Sequence, residues 1–181
     1  MNLSRKDYDD IEEIAYRVLI DYQRYQFPID VFQLCRDMNI TLIKYSSLDK
    51  DNQKICLDRS EKGFYSFTPY KPIIFYNDMI KSEANIRFTI AHEIKHYVCH
   101  DLEENDAVET LANHFAKTLL CPKVLLIHLK DLDIFDVINK FDISQEVAIY
   151  TLNGIENRKR YHGDSIFAYE KTYLDYFLSK Q

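Results

Sequence analysis

The chain has 181 residues, of which 46% are hydrophobic, and it carries a formal net charge of −6 at pH 7. This length suffices for one compact domain with a substantial core and excludes a second large domain. The acidic balance argues against nonspecific binding to nucleic acids, and the 3 glycines leave no glycine-rich phosphate loop.

The N-terminal residues and the cysteines both indicate a cytoplasmic protein. The N-terminal residues lack the apolar core of a signal peptide, and no later stretch has the roughly 18 apolar residues of a membrane span. The 4 cysteines are scattered without a Cys-x-x-Cys pair, which is typical of reduced thiols rather than a disulfide framework. We therefore expect a cytoplasmic protein that does not enter a membrane.

The first part of the chain predicts two helices and a small sheet. Apolar residues within 11–22 recur at helical spacing, and Ser4 with Asp7 can cap the helix that they form. A second, short helix is predicted at 31–38. Segments rich in β-branched and aromatic residues predict strands at 40–45, 55–57, 64–67 and 73–76.

The most specific motif is His92-Glu93-x-x-His96. On an α-helix the two histidines lie one turn apart on the same face and can aim both imidazoles at one metal ion. Glu93 lies beside them, where it can accept a proton from water, and this combination is typical of zinc peptidases. Apolar neighbours such as Ile90 and Ile94 predict a helix that crosses a core. The alternative is a pair of exposed or otherwise satisfied histidines at helical spacing.

A catalytic zinc site usually has three protein ligands, so a third residue is required. His100 lies about 12 Å along a straight helix from His92, which is too far for both to bind one ion. A glycine-broken helix that returns a third histidine is excluded, because Cys99 and Leu102 occupy the glycine and histidine positions of that class.

Acidic residues around the start of the next predicted helix are the remaining candidates. Three of them lie at or before its first turn, where capping is the expected role: Glu103, Glu104 and Asp106. Glu109 shares a face with Ala112 and Ala116, and these small residues allow the helix to approach the histidine-bearing helix closely. His114 is rotated about 140° from Glu109 and points elsewhere.

The C-terminal third predicts short helices. Two are predicted at 124–129 and 133–140, and Ser144 can cap a third that ends near Gly154. The last two resemble a helix-turn-helix pair, but the second lacks Arg and Lys, so we expect it to pack rather than to read DNA. The basic run at 158–160 is expected to be a solvated helix end. The aromatic tail that follows is expected to dock on the core, with a partner protein as the alternative.

The two predicted helices around the motif carry a longer pattern. The sequence reads R-F-T-I-A-H-E-I-K-H from Arg87, and E-T-L-A-N-H-F-A-K-T-L-L-C-P from Glu109. These residues resemble the ImmA/IrrE family of metallopeptidases, whose pattern is R-F-T-x-A-H-E-x-G-H followed by E-x-x-A-N-x-F-A-x-x-L-L-x-P. The similarity extends upstream to 73–77 and more weakly downstream to 141–144, so that it covers roughly half of the chain.

The resemblance implies one general base, Glu93, and three zinc ligands: His92, His96 and Glu109. Lys95 departs from the family pattern, because relatives usually have Gly there. Its side chain either crowds the residues packed against that turn or projects into solvent. A second departure, Thr instead of Arg at position 151, lies outside the ligand set.

We therefore expect an α+β protein. Residues 1–122 are predicted to form a zincin-like metallopeptidase core, with a small antiparallel sheet and the helices that carry the motif. Residues 123–181 are predicted to form a helical C-terminal extension. The resemblance implies a zinc-dependent endopeptidase that cleaves a helix-turn-helix transcriptional repressor and relieves repression in a mobile element or a stress response. The alternative is a noncatalytic metal-binding regulator that acts by binding a repressor or DNA; direct DNA binding is not expected.

Overall fold

The computed structural model describes residues 3–68, 71–101, 105–129, 132–163 and 165–180. The helices are α1 (Arg5–Asp21), α2 (Val31–Asp37), α3 (Lys50–Arg59), α4 (Glu83–Cys99), α5 (Asp106–Leu120), α6 (Lys123–Leu129), α7 (Ile134–Phe141), α8 (Gln145–His162) and α9 (Ala168–Leu178). The strands are β1 (Thr41–Lys44), β2 (Gly63–Phe67) and β3 (Pro72–Tyr76). This mixture confirms the expected α+β class. None of the helices in the described ranges has the length and apolar character needed to cross a bilayer.

The chain divides into two compact units. The sheet unit is Asp30–Ala112, and the helical unit combines Met1–Ile29 with Asn113–Gln181. The helix α5 contributes its first half to the sheet unit and its second half to the helical unit. This division differs from the predicted boundary at residue 122, because the N-terminal helix α1 packs against α9 near the end of the chain. Such a long-range pairing leaves no local signal in the sequence.

The sheet unit contains a three-stranded sheet in the order β1-β3-β2. The central strand β3 pairs with β1 in parallel and with β2 in antiparallel orientation, so that Ile43 and Phe64 both lie opposite Phe75. The sheet is therefore mixed, whereas a wholly antiparallel one was expected. A parallel pair needs a long crossover connection, and the segment that contains α3 and β2 provides it between β1 and β3.

Close packing of β2 on α4 depends on Gly63. A Cβ atom at this position would lie 2.7 Å from the Phe75 carbonyl oxygen and 2.8 Å from the Thr89 side chain on α4. Real Cβ atoms do not tolerate such distances to backbone, so the absence of a side chain lets the strand lie directly against the helix. This contact brings the edge of the sheet beside the motif-bearing helix.

Residues 55–57 were predicted as a strand, and this prediction was wrong because they lie within α3. The Asp49 side chain accepts a hydrogen bond from the Asn52 amide at 2.9 Å and caps that helix. Within the run, Cys56 is buried while Ile55 and Leu57 are exposed. Three residues with one buried position fit the periodicity of a helix as well as that of a strand. The N-cap at Asp49 was therefore the signal that favoured a helix.

The helical unit is built around the packing of α1 on α9. Its core includes the fully buried side chains of Tyr16, Leu19 and Tyr173. The Tyr173 hydroxyl donates to the Arg24 carbonyl oxygen at 2.9 Å, which satisfies its polar end. The capping box between Ser4 and Asp7 begins α1 as predicted. The aromatic C-terminal tail therefore packs within this unit, which agrees with the expectation that it docks on the core.

The helix α8 extends well past Gly154, where the sequence predicted its end. A Cβ atom at Gly154 would lie 3.2 Å from the Lys123 side chain, so the glycine makes room for that lysine. Arg158 farther along α8 is buried, although a solvated helix end was expected. Its guanidinium forms a bidentate ion pair with the buried Glu170 carboxylate of α9. This pair explains why Arg158 is buried.

A buried polar cluster joins α1, α5 and α6 within the helical unit. The Glu12 carboxylate accepts hydrogen bonds from His114 Nε2 at 2.7 Å and from the Lys123 ammonium. His114 Nδ1 lies 3.0 Å from the Tyr150 hydroxyl oxygen. Burial would raise the pKa of Glu12, but the hydrogen bond from His114 and the charge of Lys123 outweigh it and lower that pKa to about 2. His114 is thus engaged in a structural cluster, as its rotation away from Glu109 predicted.

Replacing Glu12 by glutamine is expected to lower the free energy of unfolding by about 3 kcal/mol at pH 7, because two buried donors lose their charged partner. The folded-state pKa of Glu12 lies below its ordinary value of 4.5, so its contribution is complete above that value and is lost as pH falls towards 2. Urea unfolding of parent and variant from pH 7 to pH 3 should show the difference shrinking. Glu13→Gln, on the exposed side of α1, is the control and should change stability by less than about 1 kcal/mol. Equal stability of parent and Glu12→Gln at pH 7 would contradict the assigned role.

Candidate metal centre

The helix α4 is held at both ends by features of its own sequence. The Ser82 side chain accepts from the Asn85 amide at its start, and His100 ends it in the left-handed conformation with φ of 53°. Ile90, Ala91 and Ile94 are fully buried, so the helix crosses the core of the sheet unit as expected. These restraints fix the face on which the motif side chains lie.

His92 and His96 lie one turn apart on α4, and their Nε2 atoms are 3.2 Å apart. Glu109 on α5 reaches the same point, with Oε2 at 3.1 Å from His92 Nε2 and Oε1 at 3.4 Å from His96 Nε2. One ligand atom from each residue lies within 4.8 Å of the others. The structure thus brings together the three residues that the sequence proposed as ligands.

The spacing of these atoms fits a metal ion. Bonds of 2.0–2.1 Å in a tetrahedral arrangement place neighbouring ligand atoms roughly 3.3 Å apart. Two imidazole nitrogens and one carboxylate suit a divalent transition metal, and a three-residue set leaves a coordination position open. The donor set therefore matches a catalytic site better than a closed structural one.

Asp101 orients the His96 ring through the nitrogen that does not belong to the ligand group. Its Oδ2 atom lies 2.9 Å from His96 Nδ1, which therefore acts as the donor and leaves the Nε2 lone pair directed at the ligand group. Carboxylates that hold metal-binding histidines in this way fix both the ring and its tautomer. Asp101 was not among the residues predicted from the sequence, and its position just after the end of α4 was the only local signal for it.

Glu93 occupies a different place from the three grouped residues. It is 7% exposed, and its Oε2 atom accepts a hydrogen bond from the Tyr65 amide of β2 at 2.8 Å. The strand edge thus holds the Glu93 carboxylate in the same cleft as the histidines without adding it to their group. Burial raises the pKa of the adjacent Tyr65 phenol, so that this side chain remains neutral at neutral pH.

The cleft around these residues has a volume of about 400 Å³. Its walls come from the end of α3, from β2, from α4 and from the first turn of α5: Arg59, Ser60, Gly63, Phe64, Tyr65, Ser66, Phe67, His92, Glu93, His96, Asp101 and Glu109. The Arg59 guanidinium lies 4.2 Å above the Phe64 ring, and Phe67 is 72% exposed at the far end of the strand. An elongated wall of main chain and aromatic rings therefore leads to the candidate metal group.

Within the part of the chain that the structure describes, the other polar residues considered from the sequence do not join the group. His100 is exposed at the end of α4, and Asp106 begins α5 as expected for a capping acid. Glu103 and Glu104 lie outside the described residues. Burial raises the pKa of the Cys99 thiol, which argues against a reactive thiolate near the site.

Comparison with known families agrees with this geometry. The sequence pattern of the Peptidase_M78 family, described as the IrrE N-terminal-like domain, matches residues 35–153. A search of curated proteins gives no match. The matched segment includes the whole sheet, both helices that carry the candidate ligands, and the cleft residue Asp101. Because the match covers more than half of the chain, the protein belongs to the Peptidase_M78 family of metallopeptidases.

Proposed function

We propose that this protein is a zinc-dependent endopeptidase in which His92, His96 and Glu109 hold the metal and Glu93 is the general base. The observation that carries the proposal is the meeting of these three ligand atoms beside a separate buried carboxylate in one cleft. Zinc, when bound, supplies a Lewis acid that polarises the scissile carbonyl and favours ionisation of water. The donor set of two imidazoles and one carboxylate supports zinc as the metal.

Glu93 has the position that the base requires. The Tyr65 amide holds its carboxylate at 2.8 Å through Oε2, beside the grouped histidines, where it can accept the proton of the attacking water. The same carboxylate then gives this proton to the amine as the peptide C–N bond breaks. A protein that only bound metal and a partner would have no chemical use for Glu93, so the residue favours the enzyme over the noncatalytic alternative.

The edge of β2 is the proposed substrate-binding site. The sequence left two positions open for the strand 73–76, a free edge that pairs with an extended peptide or an interior or covered place, and β3 takes the second because it is paired on both sides. Within the described residues β2 is an edge strand, and the Tyr65 amide points out from it towards Glu93. An extended peptide can pair with such an edge through its main chain, which favours flexible segments over packed helices as cleavage sites.

We expect peptide binding to protect β2 rather than β3. Hydrogen exchange is measured on Glu93→Gln loaded with zinc, with and without an uncleaved peptide that spans the cleavage site. Apart from the Gly63 and Tyr65 amides, which already donate to Ser60 and to residue 93, amides within 63–67 should exchange more slowly when peptide is bound. Those of β3, already paired in the sheet, should change little. Unchanged exchange along β2 at saturating peptide would rule out edge pairing while leaving the proposed chemistry intact.

The proposed substrate is a helix-turn-helix transcriptional repressor whose cleavage relieves repression in a mobile element or a stress response. Support comes from the family resemblance together with a cleft that suits an extended segment, such as an interdomain linker. Direct DNA binding by this chain is the less favoured mode, because the N-terminal half of α8 lacks Arg and Lys and the Arg158 guanidinium is committed to Glu170.

Co-expression with the repressor encoded by a neighbouring gene tests the substrate. Parent protein should produce discrete repressor fragments, and Glu93→Gln should leave the repressor intact. If the parent and Glu93→Gln both relieve repression and no repressor fragments form, the noncatalytic regulator is the better explanation.

A further inference from the structure

Lys95 is a buried lysine in the turn between Glu93 and His96. Its side chain is 2% exposed, so it does not project into solvent, one of the two outcomes considered from the sequence. A buried ammonium is costly unless it is paired and hydrogen-bonded. The resemblance to the ImmA/IrrE pattern, which has Gly at this position, offers no role for it.

Among the described residues, the partners of Lys95 belong to the surroundings of the candidate metal group. Its Nζ atom donates to Asp101 Oδ2 at 2.7 Å, and the same oxygen lies 2.9 Å from His96 Nδ1. The ammonium also lies 3.4 Å from the Val108 carbonyl oxygen in the first turn of α5. Val108 directly precedes Glu109, the candidate ligand contributed by that helix. One side chain therefore contacts the support of a histidine and the backbone beside the carboxylate ligand.

We propose that Lys95 is a positioning residue that holds the metal-binding arrangement in place before the metal binds. Its positive charge keeps the Asp101 carboxylate against His96, and its contact with Val108 holds the start of α5 at the distance that Glu109 needs. A ligand group that is already ordered loses less conformational entropy on binding, so its affinity is higher. The inference rests on the ligand assignment of the proposed function, but it does not require proteolysis.

Lys95→Met is the first test, because it removes the ammonium and keeps a long side chain. Zinc affinity is measured by competition with a chelator, and hydrogen exchange is measured on the metal-free protein. Lys95→Met should bind zinc about 10-fold more weakly or worse. Amides 109–112 should also exchange faster than in the parent. Lys81→Met, which removes an exposed lysine just before α4, is the matched control and should change neither quantity.

A thermodynamic cycle separates positioning from general loss of stability. Asp101→Asn removes the shared carboxylate. The loss of zinc binding free energy in the double variant should be smaller than the sum of the losses in Lys95→Met and Asp101→Asn. Lys95→Arg keeps the charge and should recover part of the affinity. If Lys95→Met does not fold, Lys95→Gln takes its place in the same measurements.

The outcomes also distinguish this inference from the proposed function. Parent-like zinc affinity together with parent-like exchange of 109–112 in the Lys95 variants would overturn it. Fully additive losses would overturn it as well, since the lysine would then act independently of Asp101. If the parent protein binds no zinc at all, the proposed function fails, and faster exchange of 109–112 in metal-free Lys95→Met would still support the positioning role.

Discussion

Alanine at His92 or His96 is expected to abolish zinc binding by the purified protein, which should otherwise carry about one zinc per chain. Each substitution removes one of three converging ligand atoms and leaves a two-residue group that cannot hold the ion. Glu109→Ala should weaken zinc binding by more than about 100-fold, because the carboxylate belongs to the ligand group itself and not to its support. Metal analysis after purification without chelator, followed by zinc titration, measures both effects.

His100→Ala provides a matched control for the histidine variants. This histidine caps the C-terminal end of α4 in the left-handed conformation and is exposed, so its loss should leave zinc stoichiometry unchanged. Glu83→Ala, in the exposed first turn of α4, is the corresponding control for Glu109. A parent protein that neither retains nor rebinds zinc would show that the ligand assignment is wrong.

Glu93→Gln is expected to reduce proteolysis by about 100-fold to 10,000-fold while fold and zinc content stay as in the parent. The amide has nearly the shape of the carboxylate and can still accept a hydrogen bond from the Tyr65 amide through its oxygen. It cannot accept the proton of the attacking water, so the loss should fall on the chemical step. Cleavage of the repressor under single-turnover conditions, with zinc content measured on the same samples, gives the comparison.

Substrate binding provides the control for this variant. Because Glu93 lies outside the grouped residues and the proposed substrate contacts are made by the main chain of β2, Glu93→Gln should bind an uncleaved peptide about as tightly as the parent does. Cleavage by Glu93→Gln at the parent rate would show that another group is the base.

Helix signals in the sequence proved dependable where caps and periodicity agreed. The Ser4 and Asp7 pair begins α1 by a capping box, and the apolar row within 11–22 faces the core of the helical unit. The motif helix likewise has its buried face where Ile90 and Ile94 predicted it. These features depend on contacts between residues a few positions apart, so the local sequence contains them.

Predictions were wrong or stayed open where the outcome depends on distant partners. The strand 73–76 is interior rather than a free edge, because β1 comes from far upstream in the sequence and pairs with it in parallel. The basic run at 158–160 was expected in solvent, yet Arg158 is drawn inward by Glu170. Lys95 is buried for the same kind of reason, since Asp101 supplies the opposite charge beyond the end of the helix.

The sequence by itself determined the family pattern and the α+β class. It also named the grouped residues: helical spacing pairs His92 with His96, and the family resemblance adds Glu109 to them. Only the tertiary structure decided that β2 forms the edge beside Glu93, that Asp101 supports His96, and that Lys95 joins both to α5. These contacts join separate elements through hydrogen bonds and buried charges. Their partners are selected by the packing of the whole unit, and no local periodicity encodes that packing.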